Sequence, residues 1–300
     1  MTHARTTGKK FAPAPTRTAN RAPARPASGT TQLRRALAAE LTRTGGRGFL
    51  WMVAVPLAVA LPLLITVGIA VVAEQFADSS GPFRVTSVST ANAVYWVITF
   101  TSSIMMVTAA YAHASQTRGT LRDLGAFLFP RAWTTALARW IFYGAIAAIT
   151  TAVLLVLVML CLPRLFPAIY GGVDIADAAG IRFLWTVPIH AFAACGIGVA
   201  AGAAIRTPAA AVAALLFWVY VVENSINLLP NGYTLQSWAP FLNGVAATGQ
   251  QMAFLPRFGP GGSLIYFCCV AIVAFALSVL ATTAGPLRRR AGRGRPRVRV

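Results

Sequence analysis

Charge is scarce in this chain and acid is scarcer. Only 11% of its 300 residues are charged, and seven acidic residues stand against 26 basic ones. An ordinary soluble domain holds about a quarter of its residues as Asp, Glu, Lys or Arg. A chain this poor in charge and 57% apolar is excluded from that class. Histidine is as thin: His3, His113 and His190 are far apart. There is no His-Glu-x-x-His, no Gly-x-Ser-x-Gly and no Gly-x-x-x-x-Gly-Lys-Ser/Thr, so the sequence offers no zinc-protease helix, nucleophile elbow or phosphate-cradling loop. ATP cannot be bound and hydrolysed by that route, and energy, if used, comes from a partner or a gradient. The four cysteines, Cys161, Cys195, Cys268 and Cys269, all lie in apolar runs without metal-ligand spacing. Neither a disulfide framework nor a zinc site follows. No catalytic site, metal or cofactor is expected.

Long apolar runs are what the chain does have. Six of them, at 49–73, 91–112, 140–162, 183–204, 209–229 and 263–284, are each near the ~20 residues that a helix needs to cross ~30 Å of hydrocarbon. Five carry no charged side chain and the fifth in order holds only Glu223. The prediction is an all-α, six-span membrane protein. Its basic residues alternate between the gaps. Residues 1–48, 113–139, Arg206 and the tail from Arg288 to Arg299 hold all but Arg84, Arg164, Arg182 and Arg257. The positive-inside rule then puts both termini in the cytoplasm of a multi-pass protein of the cell membrane. A net charge of +19 also raises nucleic acid as a partner. The charge sits in two tails and one loop, however, and not on a basic face with interleaved aromatics, so orientation and contact with anionic lipid are favoured and no nucleic-acid partner is expected. The first apolar run follows 48 residues and exceeds the roughly 7–15 of a signal-peptide core. It is read as a span, although Val71-Val72-Ala73 resembles a cleavage site.

Residues 1–30, rich in Ala, Pro, Thr and Arg, are read as a disordered basic arm. Over 31–48, Leu33, Leu37 and Leu41 recur every four residues with Arg34, Arg35 and Glu40 on other faces, which predicts an amphipathic interfacial helix ending at Gly45-Gly46. The six-helix membrane body follows at 49–285 and a basic tail at 286–300. Pro56 and Pro62 are expected to kink the first span. The second is polar for a span, with Thr99, Thr101, Ser102, Ser103 and Thr108, so one face should meet other helices or a water-accessible path. Ala194, Gly198 and Gly202 form a small-residue stripe, read as close packing inside the bundle. The outer segment 230–262 is too aromatic for a free loop and too interrupted by Pro and Gly for a crossing. It should pack on the bundle.

Two residues stand out chemically. An ionisable group at membrane depth is costly, so Glu223 is either a helix-end or packing group, the favoured reading, or a site of substrate or proton coupling. His190 follows Pro188, whose ring frees a carbonyl that the imidazole is expected to bind in preference to acting as a ligand or proton relay. Asp174 and Asp177 are read as a solvated loop.

The segment Thr117-Arg118-Gly119-Thr120-Leu121, then Leu128-Phe129-Pro130-Arg131 and Arg139, resembles the permease subunits of type-2 ABC exporters. So does the order of parts over about residues 31–285: an amphipathic helix before the first span, a short Ile205-Arg206-Thr207 link, and an embedded outer segment before the sixth. Relatives often have an acid before the Gly-Thr, where this chain has Ser115 and Gln116. The resemblance implies a non-enzymatic transport subunit that pairs with a second permease and two cytoplasmic ATPase subunits. Its coupling loop would be 113–139, carried by Arg118, Gly119, Thr120, Arg122, Phe127, Phe129, Pro130 and Arg131. Apolar residues inside a basic rim suit an intermittent interface. The alternatives are a gradient-driven carrier, for which Glu223 and His190 are the only candidates, a non-transporting scaffold and an intramembrane enzyme. Apolar spans favour a lipid-like or amphipathic cargo.

Overall fold

Hydrocarbon supplies no water to the peptide groups, so a chain that crosses it must satisfy them internally. The computed structural model describes residues 28–46, 48–76, 87–252 and 256–293, and these contain helices and no strand. The basic arm through residue 27 and the tail from residue 294 lie outside the described residues, as do Asp78 and Arg84.

In chain order the helices are α1 (Gly29–Thr44), α2 (Val55–Phe76), α3 (Ser102–Gln116), α4 (Gly119–Leu128), α5 (Ala132–Leu165), α6 (Pro167–Tyr170), α7 (Ala178–Ile205), α8 (Pro208–Phe217), α9 (Glu223–Ser225), α10 (Gly232–Gln236), α11 (Pro240–Thr248) and α12 (Gly259–Arg293). Wider π-helical turns at Leu50–Ala54, Val97–Thr101 and Trp218–Val222 lead into α2, lead into α3 and continue α8. Six stretches are long and apolar enough to cross a membrane: Leu50–Phe76, Thr90–Gln116, Ala132–Leu165, Ala178–Ile205, Pro208–Leu228 and Gly259–Thr283. The protein is a multi-pass membrane protein.

Over their most apolar 18 residues the second and fourth spans are 67% and 61% buried, against 22%, 17% and 22% for the first, fifth and sixth. The second and fourth therefore form the centre of the bundle. Small residues allow it: a Cβ on Gly202 would lie 2.5 Å from the Ala110 carbonyl oxygen, and one on Gly198 would overlap that of Met106. The Ala194/Gly198/Gly202 stripe thus joins α7 to α3 backbone against backbone. Across α7's other side Trp140 of α5 donates Nε1–H to the Phe192 carbonyl at 2.9 Å, its ring lying over Gly196.

Pro62 stays inside α2. Its missing N–H frees the Ala58 carbonyl, and the buried hydroxyl of Thr101 donates to that oxygen at 2.8 Å. A polar residue of the second span thereby completes the first. Replacing Thr101 with Val keeps the shape and orphans the carbonyl. We expect a stability loss of about 1 kcal/mol, measured by thermal unfolding in detergent beside Thr108→Val, whose hydroxyl bonds only its own helix.

Candidate functional site

Two polar assemblies interrupt the apolar bundle. The first lies at the end that holds α1, α4 and Arg206. Ser28 caps α1, its Oγ accepting from Thr31 N–H at 3.3 Å. The face that α1 buries is Gln32, Ala36, Glu40 and Thr44, one position behind the leucines. Leu37 packs on the bundle, and Leu41 is left exposed. This polar stripe lies against α5, which starts eight residues before the apolar run at Trp140 and so carries Arg139 inside a helix. Arg139 Nε donates to Glu40 Oε1 at 2.9 Å, and Arg43 pairs with Oε2 of the same carboxylate. Arg139 Nη1 lies 3.0 Å from His113 Nδ1, which must be the acceptor because a guanidinium only donates. Its Nη2 bonds Gln116 Oε1. One buried guanidinium thus joins α1, α3 and α5.

Between these two spans stands α4. Gly119 opens it at φ +55°, a left-handed backbone that side chains resist, which gives the Gly-Thr pair a geometric reason. Thr117–Arg118 and Phe129–Arg131 are its only links to α3 and α5. Leu121, Leu124, Gly125 and Leu128 line a cleft of about 890 Å³ between α4 and the bundle. Phe127 does not line it and is 84% exposed. The structure therefore separates the two aromatic residues of the predicted coupling loop, since Phe129 is half-buried in the cleft wall and Phe127 faces out. Arg118, Thr120, Pro130 and Arg131 are exposed; the Arg122 side chain is outside the described residues.

The second assembly is built on α11, the embedded outer segment. Pro240 opens this helix, and its next two N–H groups, Phe241 and Leu242, donate to Glu223 Oε1 and Oε2 at 3.1 and 2.9 Å. Trp218 Nε1–H adds a third donor at 2.9 Å. At the other end Arg182 Nη2 donates to the Ala247 carbonyl at 2.9 Å and Thr186 Oγ1 to that of Thr248 at 3.0 Å. A carboxylate at the N-terminus and a guanidinium at the C-terminus oppose the helix dipole at both ends. Glu223 is 1% exposed and bound by the helix it caps.

His190 reaches the same helix. Its ring sits where a Cβ on Gly244 would clash, at 2.9 Å, and stacks on Phe267 with centroids 4.8 Å apart. The expected bond to a freed carbonyl is not made: Nδ1 has no partner among the described residues. Thr99 Oγ1 and Ser102 Oγ are likewise unpartnered, and all three residues line one cavity of about 30 Å³. A water needs roughly 10–15 Å³ measured this way, so about two fit. Thr99, Ser102, His190 and Val219 sit near the middle of their spans, and the π-helical turns at Val97–Thr101 and Trp218–Val222 border the space. Tyr220 OH and Ser103 Oγ, 3.0 Å apart, close one side.

Sequence reasoning selected Glu223 and His190 singly, and the structure places both against α11. It missed the Glu40–Arg139–His113–Gln116 group, whose trace was a small or polar residue at every fourth position from Gln32 to Thr44. Among the described residues no three His, Cys, Asp or Glu side chains gather as metal ligands. Ser102 Oγ and His190 Nδ1 share a cavity without bonding each other, so these two do not form a nucleophile–base pair.

Removing one member of a buried ion pair leaves the other uncompensated. Glu40→Leu should therefore lower stability by about 3 kcal/mol or more, and adding Arg139→Met should recover most of it, as a double-mutant cycle of detergent unfolding midpoints reads out. Glu223→Gln places an amide NH₂ among N–H donors; a loss of about 1–3 kcal/mol, with faster proteolysis near α11, is expected on limited digestion. No family model, curated protein or solved structure matches this chain.

Proposed function

We propose that the chain is the membrane-spanning permease subunit of an ATP-driven exporter in the cell membrane. It would pair with a second permease subunit and couple to separate cytoplasmic ATPase subunits through α4. The observation that carries this reading is the placement of α4. It is an amphipathic helix standing clear of the bundle between two spans, with Phe127 84% exposed and Leu121, Leu124 and Leu128 more than half exposed. Exposed apolar residues beside Arg118 and Arg131 suit a partner with a hydrophobic pocket and an acidic rim.

The connections of α4 give the reading a mechanism. Two residues separate α4 from α3 and three separate it from α5, so a displacement of α4 reaches both spans with little slack. α3 continues the span that lines the mid-membrane cavity and lies backbone to backbone on α7. A push at the basic end would then shift the walls of that cavity, the alternating motion a pump requires. Sidedness follows the positive-inside rule, with α4 and both termini cytoplasmic.

A gradient-driven carrier is the weaker reading because one candidate is engaged and the other stands alone. The Glu223 carboxylate accepts three hydrogen bonds at a helix end, and His190 has no acid or second histidine among the residues lining its cavity. The test is co-purification. Phe127→Ala should insert and fold as the parent does yet lose at least tenfold of an ATPase captured by the tagged wild-type chain. Undiminished capture would overturn the coupling role of α4.

A further inference from the structure

The cleft under α4 is large, basic and set where the spans end. Its walls come from α1, the last turns of α3, one face of α4, the start of α5, the end of α7 and the end of the last span. Its volume of about 890 Å³ lies in the 300–1,000 Å³ range of small-molecule sites. Four arginines line it, Arg43, Arg131, Arg139 and Arg206, against one acid, Glu40. That acid is engaged by Arg43 and Arg139. Among the described residues Arg131 and Arg206 have no acidic partner and both are exposed. The apolar part of the lining is Leu121, Leu124, Leu128, Phe129, Trp133 and Val279.

From this juxtaposition we infer that the cleft is a binding site for an anionic phospholipid, its phosphate between Arg131 and Arg206 and its acyl chain along the leucine face of α4. Three observations select that occupant. The residual charge of the lining is positive, so the ligand is anionic. Residues 1–27 and 294–300 carry arginine and lysine and no acidic side chain, so neither of these two segments complements the cleft. Gln116, Ala132, Ile205 and Thr283 are terminal residues of spans, so the cleft opens at headgroup depth, where basic pockets between membrane helices hold lipid phosphates. A soluble anion would satisfy the arginines and leave the apolar wall wet. An anionic lipid covers both.

The cleft shares Leu121, Leu124, Leu128 and Arg131 with the surface assigned to the ATPase, but Phe127 does not line it. Lipid retention is therefore measured on the chain alone, and its failure is distinguishable from failed ATPase capture by Phe127→Ala. The full chain, purified in detergent without partner, is exchanged against vesicles of equal phosphatidylglycerol and phosphatidylcholine, and bound lipid is counted by native mass spectrometry. The chain should retain one phosphatidylglycerol with at least tenfold preference. Arg131→Ala with Arg206→Ala should abolish the preference while the unfolding midpoint holds, and the corresponding double lysine variant should keep it. Leu124→Glu, on the exposed helix, places a carboxylate in the acyl wall and should lower retention even if the double alanine variant fails to fold. Equal retention of phosphatidylcholine, or unchanged preference in either the double alanine or the Leu124→Glu variant, would overturn the inference. So would displacement of the lipid by millimolar inorganic phosphate, which would make this a free-phosphate site, or by an acidic peptide, which would make it a protein-docking groove.

Discussion

The close approach of α3 and α7 is the contact on which the rest of this bundle depends. Gly198 and Gly202 bring the α7 backbone against the carbonyls of Met106 and Ala110, a distance at which any side chain would separate the helices. With those two at the centre, the polar face of the second span is turned inward. Thr101 can then reach the carbonyl that Pro62 frees in the first span, and Thr99 and Ser102 meet His190 around one small cavity. The remaining spans pack around this pair and are apolar outside, since lipid gives helices no hydrophobic reason to associate and leaves packing and hydrogen bonds to hold them.

Acids are few, and most of those described act as joints between segments. Glu40 ties α1 to α5 through Arg139. Glu74, near the end of α2, accepts from the Ala168 N–H of α6 at 3.2 Å. Asp177, just before α7, accepts from Thr90 Oγ1 at the start of the second span, at 2.9 Å. Glu223 ties the fifth span to α11. A carboxylate can accept several hydrogen bonds at once, which makes it an efficient clamp where donors at helix ends need partners. The acidic poverty that excluded soluble classes thus also marks positions at which segments are fastened together.

The apolar runs made the six helices legible, because length and hydropathy alone decide what hydrocarbon accepts. The small-residue stripe gave the α7 packing face, and the aromatic content of 230–262 gave an embedded segment. What could not be read was pairing across long separations. Glu40 and Arg139 are 99 residues apart, and the leucine stripe of α1 drew attention to the face beside the one that is buried. The 113–139 loop is what lies between the apolar runs that end at 112 and begin at 140, whereas α5 already begins at Ala132 and carries Arg139 within it. The structure neutralises that charge with Glu40 and so continues the helix through it. Phe127 and Phe129 looked equivalent in sequence, but the helix ends between them and sends them to different surroundings.

Side-chain bonds are unevenly placed in the bundle, and the proposed exporter would use that placement where a scaffold would not. At the basic end a single guanidinium holds α1, α3 and α5 together, so under the proposed coupling a force on α4 would be delivered to this joined corner. At the opposite end α11 is fastened at both termini and behaves as a fixed wall. Between them lies a cavity in which Thr99 Oγ1, Ser102 Oγ and His190 Nδ1 have no protein partner among the described residues, flanked by two π-helical turns. The two waters that fit there can serve these atoms, and π-helical turns of this kind recur at functional sites. A scaffold would gain stability by filling that space with apolar side chains. A protein that must open a polar path through the membrane has reason to keep it.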